Sequence, residues 1–119
     1  MRDEQTLRVR TKRFAIAIIR MCVSLPPTDE ARVIKRQLLR SGTSPGAHCR
    51  EAFRSRSDAE MISKLETLLQ ELDESVYWME LLVESEIAPA ARLEPLMAEA
   101  DELLAMGVAS VRTIKRRRR

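Results

Sequence analysis

Glycine and proline are scarce in this chain, whose 119 residues include 3 Gly and 5 Pro. A sandwich or barrel of short strands needs turn residues about every ten positions, so the composition argues against an all-β fold. The two cysteines, Cys22 and Cys49, are too few for a disulfide framework, and they form no CxxC pair of the kind that binds zinc. We therefore expect a cytoplasmic protein that uses neither disulfides nor a metal.

Long apolar runs are also missing. The longest, residues 14–25, is interrupted by Arg20 and falls short of the ~20 residues that a membrane-spanning helix needs. Pro26 and Pro27 follow where a signal peptide would place small residues for cleavage. However, 45% of the side chains are hydrophobic, which is too many for a disordered chain. The sequence therefore predicts one folded domain with no membrane partner.

Apolar residues recur at helical spacing in segments of about 4–25, 28–54, 57–87 and 89–112. The segments are separated by Pro26-Pro27, by Ser55 or Ser57, and by Pro89, and the N-cap after the prolines is Thr28 or Asp29. In three segments the steps alternate between three and four, which is the period of a helix. These stripes are Leu7, Thr11, Phe14, Ile18, Met21 and Leu25; Ile62, Leu65, Leu69, Leu72, Val76, Met79 and Val83; and Leu93, Leu96, Ala100, Leu103 and Gly107.

The second segment has a weaker pattern, because its sequence SGTSPG at residues 41–46 fits either a loop or a tightly packed part of one long helix. Four helices joined by short connections predict an all-α fold, an antiparallel up-and-down four-helix bundle. We place the bundle domain at residues 1–112 and a basic C-terminal tail at residues 113–119.

The first helix is predicted to be apolar on two opposite sides. At about 100° per residue, four aliphatic residues cluster opposite its main stripe, and they are Val9, Ile16, Ile19 and Val23. A surface helix of a monomer is polar on that side, and a bundle of this size has no second layer to cover it. Trp78 likewise lies on the far side of the third helix from its stripe. We therefore predict a homo-oligomer whose interface includes these five residues.

Charge is unevenly distributed along the chain. Residues 1–60 hold 13 Lys/Arg against 7 Asp/Glu, residues 61–111 hold 2 against 11, and residues 112–119 hold 6 against none. Clustered basic residues favour binding to phosphate backbones through counterion release. The candidate nucleic-acid contacts are Arg10, Lys12, Arg13, Arg20, Arg36, Arg40, Lys115, Arg116, Arg117, Arg118 and Arg119. Alternatively, the tail is only solvated, and the internal arginines pair with an acidic flank of the third helix, in the same or a neighbouring subunit. This flank consists of Glu66, Asp73, Glu80 and Glu84.

Residues suited to catalysis are few. A di-iron site in a bundle uses a Glu-x-x-His motif on each of two helices, but this chain has a single histidine, His48. Cys49 is its neighbour, and adjacent helical side chains point about 100° apart, so His48 cannot readily act as its base. No phosphate-binding glycine loop occurs. The sequence predicts a protein that is not an enzyme and has no cofactor or metal.

The run Gln37–Ala52, QLLRSGTSPGAHCREA, resembles the signature of the four-helix-bundle proteins encoded in 23S rRNA intervening sequences. That family is similar to the accessory variability determinant of diversity-generating retroelements. Further matching stretches are residues 10–15 (RTKRFA), 57–65, 71–75, 77–78 and 99–103. The chain departs from the family pattern at Pro45, His48 and Cys49, where an apolar residue, Asn and an aromatic residue are usual.

The resemblance implies a small cytosolic bundle assembled as a homopentamer, in a family not known for enzymes. It also implies RNA or DNA, and a reverse transcriptase, as partners. Our leading hypothesis is thus a non-catalytic, homo-oligomeric scaffold that binds nucleic acid. The alternative is a protein-binding adaptor with no nucleic-acid role, which docks partners through the acidic flank of the third helix or through the Trp78 face.

Overall fold

The computed structural model describes residues 2–117, with side chains from residue 4 onward, and this part of the chain contains four α-helices and no strand. The helices are α1 (Arg2–Val23), α2 (Asp29–Phe53), α3 (Asp58–Glu84) and α4 (Ala90–Arg117). Each packs against the next along the chain, and α4 returns to pack against α1. Consequently α1 and α3 lie diagonally across an elongated bundle of 50 × 21 × 20 Å. The predicted all-α, four-helix architecture is confirmed.

Side-chain caps fix where two of the helices begin. Thr28 Oγ1 accepts a hydrogen bond from the backbone N–H of Ala31 at 3.2 Å, and Ser57 Oγ accepts one from Glu60 N–H at 3.1 Å. Each cap satisfies a backbone donor that has no partner inside the first helical turn. Of the candidate N-caps in the sequence, Thr28 rather than Asp29 and Ser57 rather than Ser55 are the ones used.

In α1 the buried residues are those of the predicted apolar stripe, whereas in α3 some buried residues differ from the predicted ones. Leu7, Thr11, Phe14 and Ile18 are all nearly or fully buried. In α3 the buried positions are Ile62, Leu65, Leu68, Leu72, Ser75, Met79 and Leu82, whereas the predicted Leu69, Val76 and Val83 are half-buried. The column of Leu68, Ser75 and Leu82 is buried because α3 packs against α2 as well as α4.

Residues 41–46 form a continuous part of α2, which resolves the ambiguity left by the sequence. Ser41, Gly42 and Pro45 are buried there. Ser75 Oγ of α3 donates a hydrogen bond to Ser41 Oγ at 2.9 Å, so these small polar groups are satisfied in the interior. Small side chains at these positions let α2 approach both α1 and α3 closely.

Two glycines in α2 should respond oppositely to the same substitution. A Cβ added at Gly42 would lie 2.9 Å from Ile18 Cγ1 and Cγ2 and 3.3 Å from Ile18 Cβ, whereas one at Gly46 would lie 3.6 Å from its nearest neighbour, Thr11 Oγ1. Alanine raises helix propensity by ~1 kcal/mol over glycine, but overpacking costs about 1–3 kcal/mol. We expect G46A to raise the urea midpoint of unfolding and G42A to lower it. Equal midpoints for the two variants would contradict this packing.

The predicted domain boundary at residue 112 lies inside α4, which continues through Arg117. Val111 and Ile114 are buried and extend the apolar stripe of this helix beyond Gly107. Lys115 Nζ lies 3.9 Å from Glu66 Oε2, and Arg117 Nη2 lies 3.2 Å from Asp58 Oδ1. The prediction of a tail starting at residue 113 is therefore corrected through residue 117; Arg118 and Arg119 lie outside the described residues.

Candidate nucleic-acid interface

The antiparallel order of the helices brings the end of α2, the start of α3 and the end of α4 to one end of the bundle. The Arg117–Asp58 and Lys115–Glu66 contacts join α4 to α3 there. An apolar cavity of about 390 Å³ opens at the same end and is lined by residues of all four helices, which include Glu4, Phe53, Met61 and Ile114.

A group of five arginines lies at this end, and we call this group the basic end. It consists of Arg50, Arg54, Arg56, Arg112 and Arg116. All five are exposed. No carboxylate lies within 4 Å of any of these five guanidinium groups in the part of the chain that the structure describes. Arg50 and Arg116 lie in the last turns of α2 and α4, where the negative end of each helix dipole favours a cation. Unpaired guanidinium groups of this kind can bind phosphate oxygens.

Sequence reasoning missed Arg50, Arg54 and Arg56 as members of this cluster. They stand about 60 residues from Arg112 and Arg116 along the chain, so no local pattern joins the two groups. The spacing of four between Arg50 and Arg54, with Arg56 directly after the helix, was the available signal. Combined with the antiparallel topology, it would have placed all three at the same end of the bundle as the end of α4.

Four of the predicted nucleic-acid contacts form ion pairs within the chain, and they are Arg10, Arg40, Lys115 and Arg117. Arg10 Nε donates to Glu99 Oε2 at 2.9 Å and its Nη2 donates to Glu99 Oε1 at 2.6 Å, and Nη2 also contacts Glu102. These hydrogen bonds raise the pKa of Arg10 further above its usual value. Arg10 therefore fastens α1 to α4, and we leave it out of the interface.

Arg40 has a similar role between α2 and α3. Its Nη2 donates to Glu74 Oε1 at 2.7 Å, and its Nη1 lies 3.6 Å from Glu71 Oε2. The acidic partners used by α2 are thus Glu71 and Glu74 rather than the predicted flank. Asp73, Glu80 and Glu84 of that flank form no ion pair with any residue from 4 to 117, so for these three only the pairing with a neighbouring copy stays a prediction.

Four other predicted contacts are solvent-facing. Lys12, Arg13, Arg20 and Arg36 are exposed or largely so, and none has a carboxylate within 4 Å in the described chain. The first three lie on α1, along the side of the helix that faces away from the bundle. They are therefore separate from the basic end and share their surface with aliphatic side chains.

The aliphatic residues on the outer side of α1 are exposed, as the two-sided pattern of this helix predicts. The exposed fractions are 41% for Val9, 39% for Ile16, 45% for Ile19 and 81% for Val23. Trp78 differs, because it is half-buried against the core on α3, diagonally across the bundle from α1. Its indole Nε1 is buried without a hydrogen-bond partner in the described structure. Trp78 is thus not part of the same surface as the four aliphatic residues.

The groups considered for catalysis are buried or hydrogen bonded to a neighbouring side chain. Burial raises the pKa of both the Cys22 and the Cys49 thiols to about 11, which keeps them protonated and weakly nucleophilic near neutral pH. His48 Nδ1 is hydrogen bonded to Glu51 Oε1 at 2.9 Å, and this bond lowers the pKa of Glu51, aided by Lys64. Among residues 4–117, no three His, Cys, Asp or Glu side chains lie together as a metal site would require.

No helix in the described chain has both the length and the apolar character needed to cross a membrane.

Comparison with curated proteins gives no significant match. The predicted partners, which are a second copy of the chain, RNA or DNA, and a reverse transcriptase, stay predictions.

The chain is similar to proteins of solved structure and to a known protein family. The chain is similar to a crystal structure of a protein of unknown function from the S23 ribosomal protein family of Bacteroides thetaiotaomicron. The TM-score is 0.85 at 29% sequence identity, and the match covers 92% of this chain and 98% of that one. A family profile described as 23S rRNA-intervening sequence protein matches residues 5–109. On this match, which spans all four helices, the chain belongs to the 23S rRNA-intervening sequence protein family.

Proposed function

We propose that the protein is a non-catalytic, self-associating helical scaffold whose basic end binds the phosphate backbone of RNA or DNA. The observation that carries the proposal is the group of five exposed arginines, drawn from α2, the segment after it and α4, with no carboxylate of residues 4–117 within 4 Å. The family description, which refers to an intervening sequence of 23S rRNA, is consistent with a nucleic-acid context.

Phosphate contacts suit this surface better than base recognition does. Guanidinium groups bind phosphate oxygens without sequence information, and each neutralised phosphate releases condensed counterions. Stacking on bases requires exposed aromatic rings, and the exposed ring, Tyr77, lies on α3 rather than at the basic end. The scaffold should therefore prefer nucleic acid by charge and shape, with little dependence on sequence.

Self-association would strengthen such binding. The outer side of α1 presents four exposed aliphatic residues in one stripe, which is more than a monomer usually leaves exposed on one helix face. Assembly of several copies, such as the pentamer that the family resemblance implies, would present several basic ends to one strand. Linked sites of this kind raise the overall affinity without any new contact.

The basic end is tested by removing two of its charges. We expect the double variant R112A/R116A to bind a fluorescein-labelled RNA hairpin about thirtyfold more weakly at physiological salt. The reason is that two arginine–phosphate contacts, worth ~1 kcal/mol each, are removed together. The matched control is R32A/R92A, which removes the same charge from the opposite end, where Arg32 contacts Asp29 and Arg92 donates to Ser24 Oγ. Fluorescence anisotropy measures both variants.

Equal weakening by the two double variants would show that net charge alone decides binding and would refute the basic end as the interface. If the wild-type protein fails to bind the hairpin even at low salt, the scaffold does not bind nucleic acid. The alternative hypothesis, a protein-binding adaptor with no nucleic-acid role, would then be favoured for this protein.

A further inference from the structure

The outer side of α1 combines aliphatic and basic side chains that the rest of the chain does not cover. We call it the α1 outer face, and it consists of Val9, Lys12, Arg13, Ile16, Ile19, Arg20 and Val23. All seven residues are exposed. None of the three basic side chains, Lys12, Arg13 and Arg20, has a carboxylate within 4 Å in the described structure. An apolar stripe with unpaired positive charges is complementary to a partner surface that is both apolar and acidic.

One side of α3 has the complementary character. We call it the α3 acidic face, and it consists of Asp73, Tyr77, Glu80 and Glu84. All four are exposed, with Tyr77 exposed by 52%, and the three carboxylates form no ion pair within residues 4–117. Because α1 and α3 lie diagonally across the bundle, these two faces cannot meet in one copy of the chain.

The spacing of residues on the two faces also matches. Arg13, Ile16 and Arg20 are separated by steps of three and four, and Glu80, Tyr77 and Asp73 are separated by the same steps in the reverse direction. Both sets span seven residues, which is ~10.5 Å along a helix. When the two helices run antiparallel, Arg13 can pair with Glu80, Ile16 can pack on Tyr77, and Arg20 can pair with Asp73 in a single register.

We propose that the α1 outer face of one copy docks antiparallel on the α3 acidic face of the next copy. This inference rests on the proposed self-association and specifies its two contacting surfaces. The contact is heterologous, since each copy uses different surfaces towards its two neighbours, and such contacts build rings or open chains rather than simple two-fold dimers. Lys12, Arg13 and Arg20 then serve assembly, and the basic end remains free for phosphate.

Charge reversal tests the pairing. We expect R13E/R20E and D73R/E80R each to weaken association by more than about a hundredfold, because each variant places like charges opposite one another. The combined variant R13E/R20E/D73R/E80R should recover the wild-type mass, because opposite charges again face one another across the contact. All four positions are exposed, so circular dichroism should show the same helix content throughout.

Sedimentation velocity measures each sample, with R32E/R36E as the control that reverses two charges on α2. Several results would overturn the pairing: wild-type mass retained by either double variant, no recovery in the combined variant, or equal loss in the control. The proposed self-association fails separately, if the wild-type protein itself sediments as a single chain. An assembled wild type together with an unaffected D73R/E80R would mean that α1 docks on a different surface.

Discussion

Replacing Ile16 and Val23 with glutamate is expected to convert the assembled protein into folded monomers of 13.6 kDa. Burial of each aliphatic side chain in an interface contributes ~2 kcal/mol, so losing both weakens association by about a thousandfold. The fold itself should persist, because 39% of Ile16 and 81% of Val23 are exposed in the single chain. Size-exclusion chromatography with light scattering gives the mass, and thermal unfolding verifies that the monomer is folded.

The control for this experiment is V33E on α2. Val33 is 63% exposed, so the same substitution there adds one charge to an exposed aliphatic position away from α1. We expect V33E to keep the mass of the wild type. If I16E/V23E also keeps that mass, the outer side of α1 does not belong to the interface.

The affinity for duplex nucleic acid should fall about 500-fold when salt is raised from 50 to 200 mM. Five phosphate contacts, one for each arginine of the basic end, give a slope of about −4.5 for log affinity against log salt. In R112A/R116A three contacts remain, the slope becomes about −2.7, and the same change of salt costs only about fortyfold. The salt titration thus counts contacts independently of the absolute affinity.

For this titration, R32A/R92A again serves as the matched variant and should keep the wild-type slope. An unchanged slope in R112A/R116A would place the phosphate contacts elsewhere, since the slope reports how many cations touch the backbone. A slope near zero in the wild-type protein would mean that binding does not depend on phosphate at all.

The helices could be predicted from the sequence because their apolar period is strong and their starts are marked. Phe14 and Ile18 are buried at the positions that the stripe predicts, and Thr28 and Ser57 cap the helices that follow them. The end of α4 was predicted too early, because a run of basic residues masks the single apolar position, Ile114, that continues the stripe. Helix propensity of Lys and Arg is high, so charge alone does not end a helix.

The candidate site was less predictable, because it depends on which helix ends meet. Arg10 and Arg40 were equivalent to the other arginines in the sequence, and only packing places Glu99 beside one and Glu74 beside the other. Arg54 and Arg116 are distant in the chain and share an end of the bundle only after the helices alternate in direction. The outer side of α1, by contrast, was predictable, since a helix's two faces are encoded within about 15 residues.

Sedimentation equilibrium of the purified wild-type protein, freed of nucleic acid and measured across a dilution series, tests most directly whether neighbouring copies cover α1. We expect a mass of several times 13.6 kDa at micromolar concentrations. This mass should fall on dilution or when Ile16 is substituted. A mass of 13.6 kDa at every concentration, with the aliphatic residues of α1 left in water, would contradict it.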